Sequence, residues 1–381
     1  MRTRTRLAHQ TRVVLAAILV IGVLTTGAML GVGWYFSAQL LTPNHPSPTY
    51  DITVRAVTAT SVEMDKTPDT SRRGTYGLEW SVGHAIVGGV IGTTNGSVTR
   101  TLELATAPLH EGDHVVLTAQ VYRGDLQEAF GIQSENVQIP DELGAMPAWY
   151  VPGRLGDFVI VVHGYNGPQT DGLRIVPVLA KLGLPAVLIR YRNDLGAPAS
   201  ADRLLHLGDT EWRDCEAAVA WALGQGAQRI ILVGISMGGA VVQMFMRRSR
   251  LAGTVAGVIL DSPVLDWNAV LDFQAARRNL PALLVWPTEQ VIRFRIGFDV
   301  NAYDEVRNAR SLRAPTLLFQ DGQETFVPPD RAASLARARL DLVEYHFFLE
   351  AGHTEEWNVD QAAYESILTS FLVRKLNLAA V

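Results

Sequence analysis

Nucleophilic acyl transfer needs a hydroxyl or thiol held clear of its own backbone, a base to take its proton, and a carboxylate to orient that base. Gly234-Ile235-Ser236-Met237-Gly238-Gly239 offers the hydroxyl. The run before it (RIILVG, 229–234) reads as a strand, and the run after it (AVVQMFMRR) reads as a helix. A G-x-S-x-G turn between strand and helix lifts its serine out of the sheet. Gly234 and Gly238 suit that turn because the chain can bend sharply around Ser236 where no Cβ obstructs it. The Met237 N–H, at the start of the helix, is placed to stabilise a developing oxyanion.

A serine hydroxyl is a weak nucleophile at neutral pH without a base. Nine histidines are available. His353, in Ala351-Gly352-His353, follows the strand-like run 342–348 and precedes the last helix, where a base can reach a strand-end site. His346 falls inside that run and reads as structural, and His84 and His206 carry no motif. His163 follows the run DFVIVV in His163-Gly164-Tyr165-Asn166-Gly167. That loop reads as the other half of an oxyanion hole, with the Tyr165 N–H as donor and His163 and Gly164 supporting it. For the acid, Asp321 and Glu324 both follow the strand TLLFQ (316–320). Either keeps the chain order nucleophile, acid, base.

Elements must position these residues. From about 131 onward, apolar runs of strand length alternate with helical stretches near 171–182, 209–225, 237–249, 329–340 and 359–376. Continuous apolar runs suit strands buried on both faces. The alternation predicts an α/β fold, a mostly parallel sheet with helices on both faces, and chemistry at the C-terminal strand ends. Val137–Ile139 and Ala148–Val151 fit a leading antiparallel hairpin.

The segments VVHGYNG (161–167), GISMGG (234–239), the acid loop ending in Val327-Pro328, and AGH (351–353) closely resemble the α/β-hydrolase superfamily over about 131–381. The family's acid loop reads H-G-x-x-D-x-x-V-P. Laid over this chain, Gln320 replaces the His, Asp321 the Gly and Glu324 the Asp. The resemblance therefore favours Glu324, with Asp321 second. Asp261, one strand earlier, is a third candidate because some family lipases place the acid there. Family precedent also makes 262–313, with its aromatic residues, a cap over the nucleophile. Arg277, Arg278, Arg293 and Arg295 in that segment offer charge for an anionic head group. Among family members, the chain looks most like actinobacterial membrane-anchored hydrolases with a β-rich N-terminal extension, distantly related to prolyl-oligopeptidase-type esterases.

The N-terminal third has its own organisation. Residues 1–12 carry Arg2, Arg4, Arg6 and Arg12 and no acid; residues 13–36 are almost wholly apolar. At 1.5 Å per residue such a helix spans roughly 36 Å, enough to cross a bilayer. The arginines predict a cytoplasmic N-terminus and an extracytoplasmic remainder, as a single-pass anchor. The alternative is a signal peptide cut near Thr26-Gly27-Ala28, leaving a secreted protein. Residues 37–49 read as a polar, Pro-rich linker, and 50–130 as a small β-rich accessory segment with a hairpin at Asn95-Gly96.

Several matches are decoys. His110-Glu111-Gly112-Asp113-His114 fits H-E-x-x-H, but Pro108, Gly112 and the following VVLTAQV predict a turn and strand where a zinc site needs a helix. Arg123-Gly124-Asp125 reads as a turn, and Asn95-Gly96-Ser97 as a hairpin that needs no sugar. The lone Cys215 cannot form an internal disulfide or a Cys-rich zinc site. Net charge is −5, which argues against a nucleic-acid partner for the whole molecule. The expectation is a membrane-anchored serine hydrolase that takes a small-molecule acyl ester or thioester, lipid-like ones included, with no metal or cofactor. The competing readings are a prolyl-oligopeptidase-like peptidase, a non-catalytic hydrolase-fold binding module, and a zinc peptidase on His110 and His114.

Overall fold

In the computed structural model, residues 2–154 and 156–376 are described. A single helix, α1 (Arg2–Leu41), opens the chain. Its stretch Arg12–Leu41 is long and apolar enough to cross a membrane. The basic segment 1–12 falls on this helix, but Met1 and the side chains of Arg2, Arg4 and Arg6 lie outside the described residues. The helix runs past the expected end of the apolar segment. Residues 37–41, read from the sequence as the start of a linker, are its last turn. Ser37 and Leu41 are fully buried there, so tertiary packing overrides their polar sequence context.

Six antiparallel strands then close a barrel: β1 (Ile52–Val57), β2 (Ser61–Asp65), β3 (Tyr76–Trp80), β4 (Gly83–Thr93), β5 (Ser97–Ala105) and β6 (His114–Thr118). Its core includes Val54, Val62, Met64, Tyr76, Leu78, Val87 and Val115. The β4–β5 hairpin at Asn95-Gly96 forms, but neither turn residue has positive φ. The Thr94 hydroxyl accepts from the N–H groups of Gly96 and Ser97 and holds the turn by side-chain capping instead.

After α2 (Leu126–Phe130), an eight-stranded sheet forms. Its strands are β7 (Glu135–Asp141), β8 (Gly144–Val151), β9 (Asp157–Val162), β10 (Ala186–Ile189), β11 (Arg229–Ile235), β12 (Val255–Asp261), β13 (Thr316–Gln323) and β14 (Val343–Gly352), ordered 14-13-12-11-9-10-8-7. The β7–β8 hairpin is antiparallel and pairs antiparallel to β10; the other pairs are parallel. Along β9, Phe158, Ile160 and Val162 enter the core on one face, and Val159 and Val161 enter the other. Helices α3 (Val176–Lys181), α4 (Trp212–Gly224), α5 (Met237–Arg248), α8 (Asp330–Ala338), α9 (Glu356–Val359) and α10 (Gln361–Leu376) accompany the sheet. Residues 377–381, expected to close the hydrolase segment, lie outside the described ones. Between β12 and β13 run α6 (Trp267–Arg277) and α7 (Val285–Ile296). Chain order reverses between β9 and β11, so the crevice beyond their C-terminal ends is the switch point where such sheets bind ligands.

The barrel and the sheet share a seam just beyond His353. Arg72 and Tyr76 both bond Glu355, and the Asn358 amide donates to the carbonyls of Thr75 (2.8 Å) and Ala119 (2.9 Å).

Candidate active site

Ser236 sits between β11 and α5 with φ 52° and ψ −115°. A non-glycine residue in that region carries about 1–3 kcal/mol of backbone strain. Its surroundings leave no room to relax. A Cβ on Gly238 would lie 2.2 Å from the Val162 carbonyl oxygen, and one on Gly234 2.6 Å from that of Gly238. The Ser236 N–H donates to the Asp261 carbonyl at 2.9 Å, and its own carbonyl accepts from Val264 at 3.0 Å.

His353 follows β14 and faces this serine. Its Nε2 is 2.8 Å from Ser236 Oγ, and its Nδ1 is 2.9 Å from Glu324 Oε2. The other Glu324 oxygen accepts from the N–H groups of Thr325 (2.7 Å) and Phe326. With Nδ1–H given to Glu324, Nε2 is the nitrogen left to accept the serine proton. Burial works against a charged imidazole, but the hydrogen bond and charge of Glu324 outweigh it and hold His353 above the ordinary histidine range. Burial also works against ionised Glu324; its bonds to His353 and to the Phe326 N–H prevail and hold it below the ordinary carboxylate range. The Phe326 ring stacks on His353 at 5.4 Å between centroids.

The other two candidate acids are bonded to other partners. Asp321 is inside β13, because pairing with β14 continues past the expected strand end. Its carboxylate is 3.9 Å from His353 Nδ1 and is bonded to the Ser262 hydroxyl. Asp261 takes Arg174 at 2.8 Å and the Tyr364 hydroxyl at 2.7 Å. Ser262 Oγ is also 2.6 Å from Glu356 Oε1. One hydroxyl proton cannot serve two carboxylates, so a carboxyl proton must complete the set. Burial, with the charges of Asp261 and Asp321, holds Glu356 well above its ordinary range. Burial, with the charge of Glu324, pushes Asp321 up to about 7. Sequence reasoning missed Ser262, Glu356 and Arg174 in this cluster.

The two expected oxyanion donors flank Ser236. Met237 is the first residue of α5, and an N–H at that position lies outside the helical hydrogen-bond ladder. Opposite it, the loop after β9 passes so close that a Cβ on Gly164 would lie 3.2 Å from Ser236 Cβ. The Gly164 carbonyl accepts from the Tyr191 hydroxyl (2.7 Å) and the Gly167 N–H (3.1 Å), which fixes the turn carrying Tyr165. His163 is buried beneath, with Nε2 2.8 Å from Asp194 Oδ2 and its ring stacked on Tyr191. Burial opposes its protonation, but the Asp194 carboxylate outweighs burial and raises its pKa. Asp194 was legible only as part of a strand-end loop.

Two cavities border this group. One, of about 490 Å³, is lined by Tyr165 and Phe326, by α6 and α7, and by the last turns of α1. The other, of about 690 Å³, is polar and includes Arg72, Arg73, Glu350 and His353. Asp321, Glu324 and His353 bring donor atoms within 4.8 Å of one another, close enough for a metal ion. A metal there would have to displace the Glu324–His353 hydrogen bond. His110 and His114 form no helical pair: His110 lies in a turn and His114 opens β6 opposite Thr53. In the second decoy, Asp125 caps α2 and Arg123 pairs with Glu79.

Comparison with known proteins gives a consistent picture. A profile described as "Alpha/beta hydrolase family" matches residues 159–373, more than half of the chain. A domain of unknown function, DUF8805, matches 53–118, the barrel strands. An uncharacterized protein of Mycobacterium tuberculosis (strain H37Rv) is 25% identical over 231 residues, covering 59% of this chain and 73% of that protein. Among solved structures, the Pyrococcus furiosus esterase Pf2001 covers 67% of this chain and 97% of its own, with TM-score 0.53 and 19% identity. The Pyrococcus horikoshii acylaminoacyl peptidase covers 84% of this chain and 55% of its own, with TM-score 0.52 and 15% identity. The strand order, the strained turn at Ser236 and the profile match agree that the chain belongs to the alpha/beta hydrolase family.

Proposed function

We propose that the protein is a membrane-anchored serine hydrolase that cleaves carboxylic esters or thioesters. The observation that carries this reading is the unbroken hydrogen-bonded line Ser236–His353–Glu324, set on a strained strand–helix turn. Ser236 Oγ attacks the acyl carbonyl as its proton passes to His353 Nε2. The developing oxyanion is held by the N–H groups of Met237 and Tyr165. The acyl C–O bond of an ester, or the C–S bond of a thioester, then breaks, and His353 returns the proton to the departing alkoxide or thiolate. Water repeats the sequence on the acyl-enzyme and releases the acid. Glu324 orients the imidazole and stabilises its charge in both halves. The apolar cavity lined by Tyr165 and Phe326 suits the acyl group, and the polar one that includes His353 suits the leaving group. Helix α1 is the anchor, with the arginine-rich end in the cytoplasm and the catalytic part outside.

A fluorophosphonate probe that does not cross membranes tests both statements on intact cells. Labelling is expected for wild type and is expected to vanish in Ser236→Ala, whose turnover falls by about 10⁶-fold. Labelling that appears only after lysis would reverse the orientation. Absence of labelling in lysed cells would sink the nucleophile assignment. Parallel assays with p-nitrophenyl esters and aminoacyl naphthylamides separate an esterase from a peptidase.

A further inference from the structure

We infer that the last turns of α1 form a wall of the acyl-binding cavity, and that the substrate is an acyl lipid whose chain enters from the bilayer along that helix. The inference rests on the serine-hydrolase reading above and narrows its substrate class.

Four residues of α1 line the apolar cavity: Tyr35, Phe36, Gln39 and Leu40. The rest of the lining comes largely from α6, α7 and the turn between them, including Leu271, Leu280 and Leu284. Tyr165 and Phe326 complete the lining; Tyr165 belongs to the oxyanion loop, and the Phe326 ring stacks on His353. Its volume of about 490 Å³ is in the range of pockets that enclose most of a small organic ligand. Without α1, the cavity would lose four of its lining residues.

The helix is built into the site. The Tyr165 hydroxyl donates to the Gln39 carbonyl at 2.8 Å, which ties the oxyanion loop to α1. The Leu41 carbonyl accepts from Leu205 N–H at 2.8 Å, and Leu41 is fully buried in the core. Arg295 of α7 donates to Ser37 Oγ at 3.1 Å and lies over the Trp34 ring. Gly33 permits the crossing, since a Cβ there would lie 2.6 Å from the Pro287 carbonyl oxygen.

The bilayer side is marked by exposed apolar side chains. Val13 to Leu24 of α1 present apolar residues to the surroundings, and Leu30, Trp34 and Tyr35 continue the exposed stripe toward the cavity. Beside the crossing, Leu283 and Trp286 at the start of α7 are exposed as well. Aromatic residues at that level suit the boundary between acyl chains and water. The apolar path from bilayer to site therefore follows one helix, from its membrane-facing surface to its cavity-facing side. A water-soluble short ester needs no such path.

The test uses full-length protein in phosphatidylcholine nanodiscs with two probes, 4-methylumbelliferyl palmitate and 4-methylumbelliferyl butyrate. Leu40→Trp fills the cavity from the α1 side. It is expected to lower the palmitate-to-butyrate ratio of kcat/KM by about tenfold or more, since a single methylene in an apolar pocket is worth that much. Leu340→Trp, exposed between α8 and β14 and outside both α1 and the cavity lining, is expected to leave the ratio unchanged. Fluorophosphonate labelling of Ser236 in each variant reports a folded site, and Leu40→Phe replaces Leu40→Trp if the latter does not label. A ratio within about twofold of wild type in labelled Leu40 variants overturns the inference. So does a labelled wild type that turns over only butyrate. A wild type that does not label overturns the serine-hydrolase reading instead.

Discussion

In the proposed reaction the Ser236 proton passes to His353, whose imidazole stands between the serine hydroxyl and the Glu324 carboxylate. The step depends on His353 being neutral at rest. Glu324 holds its pKa above the ordinary histidine value of 6.5, so activity should rise with pH through a limb displaced above that value. Glu324→Gln removes the charge and permits the wrong tautomer. It is expected to lower kcat by about 10⁴-fold and to move the residual acidic limb to lower pH, as a pH–rate profile would show. Asp321→Asn, by contrast, removes a carboxyl that sits farther from His353 and is itself pushed up to about 7. Its loss of kcat should stay within about tenfold, since the His353–Glu324 pair is untouched. Equal losses in the two variants would undo the assignment of the acid. Ser236 and His353 were legible as candidates because each is tied to a short local pattern around a strand end, whereas only the family resemblance set Glu324 ahead of Asp321. The Ser262–Glu356–Asp321 cluster was not, because those three residues meet only when separate segments converge beneath the site.

At the scale of elements, apolar runs such as DFVIVV and RIILVG exposed the strands, since burial on both faces removes any polar alternation. The sequence SVEMD of β2 has no such run, because its charged residues alternate with Val62 and Met64 and point away from a one-sided barrel core. The end of α1 was misplaced for the opposite reason. Ser37 and Gln39 look like linker residues until α7 and Tyr165 supply their partners. That contact is testable. Gly33→Leu should force α1 from α7 and destabilise the protein by about 1–3 kcal/mol. A lowered melting temperature in detergent would report it. Gly27→Leu, with nothing near its Cβ position, should not shift the melting temperature. Matching values for the two variants would mean that α1 and α7 are not in contact.

For the whole molecule, the barrel and the hydrolase sheet meet at Gly74, where φ is +113° and a Cβ would lie 2.2 Å from the Asn358 carbonyl oxygen. Gly74→Val therefore combines backbone strain with a clash against backbone. It should destabilise the chain by about 1–3 kcal/mol or more, as a denaturant titration would measure. An unchanged unfolding midpoint would mean that the two parts do not press together there. The sequence showed both parts but not the seam, because the Arg72–Glu355 contact joins residues from opposite ends of the chain.

The same seam bears on ancestry. Gly74 has to stay bare and Glu355 has to remain an acceptor for Arg72 and Tyr76, so neither part can be exchanged freely for a cousin's version. Recombination that swaps the barrel alone would break contacts two residues from His353. The barrel and the catalytic sheet should therefore be inherited as a pair, their sequences drifting together at Arg72, Gly74, Tyr76, Glu355 and Asn358.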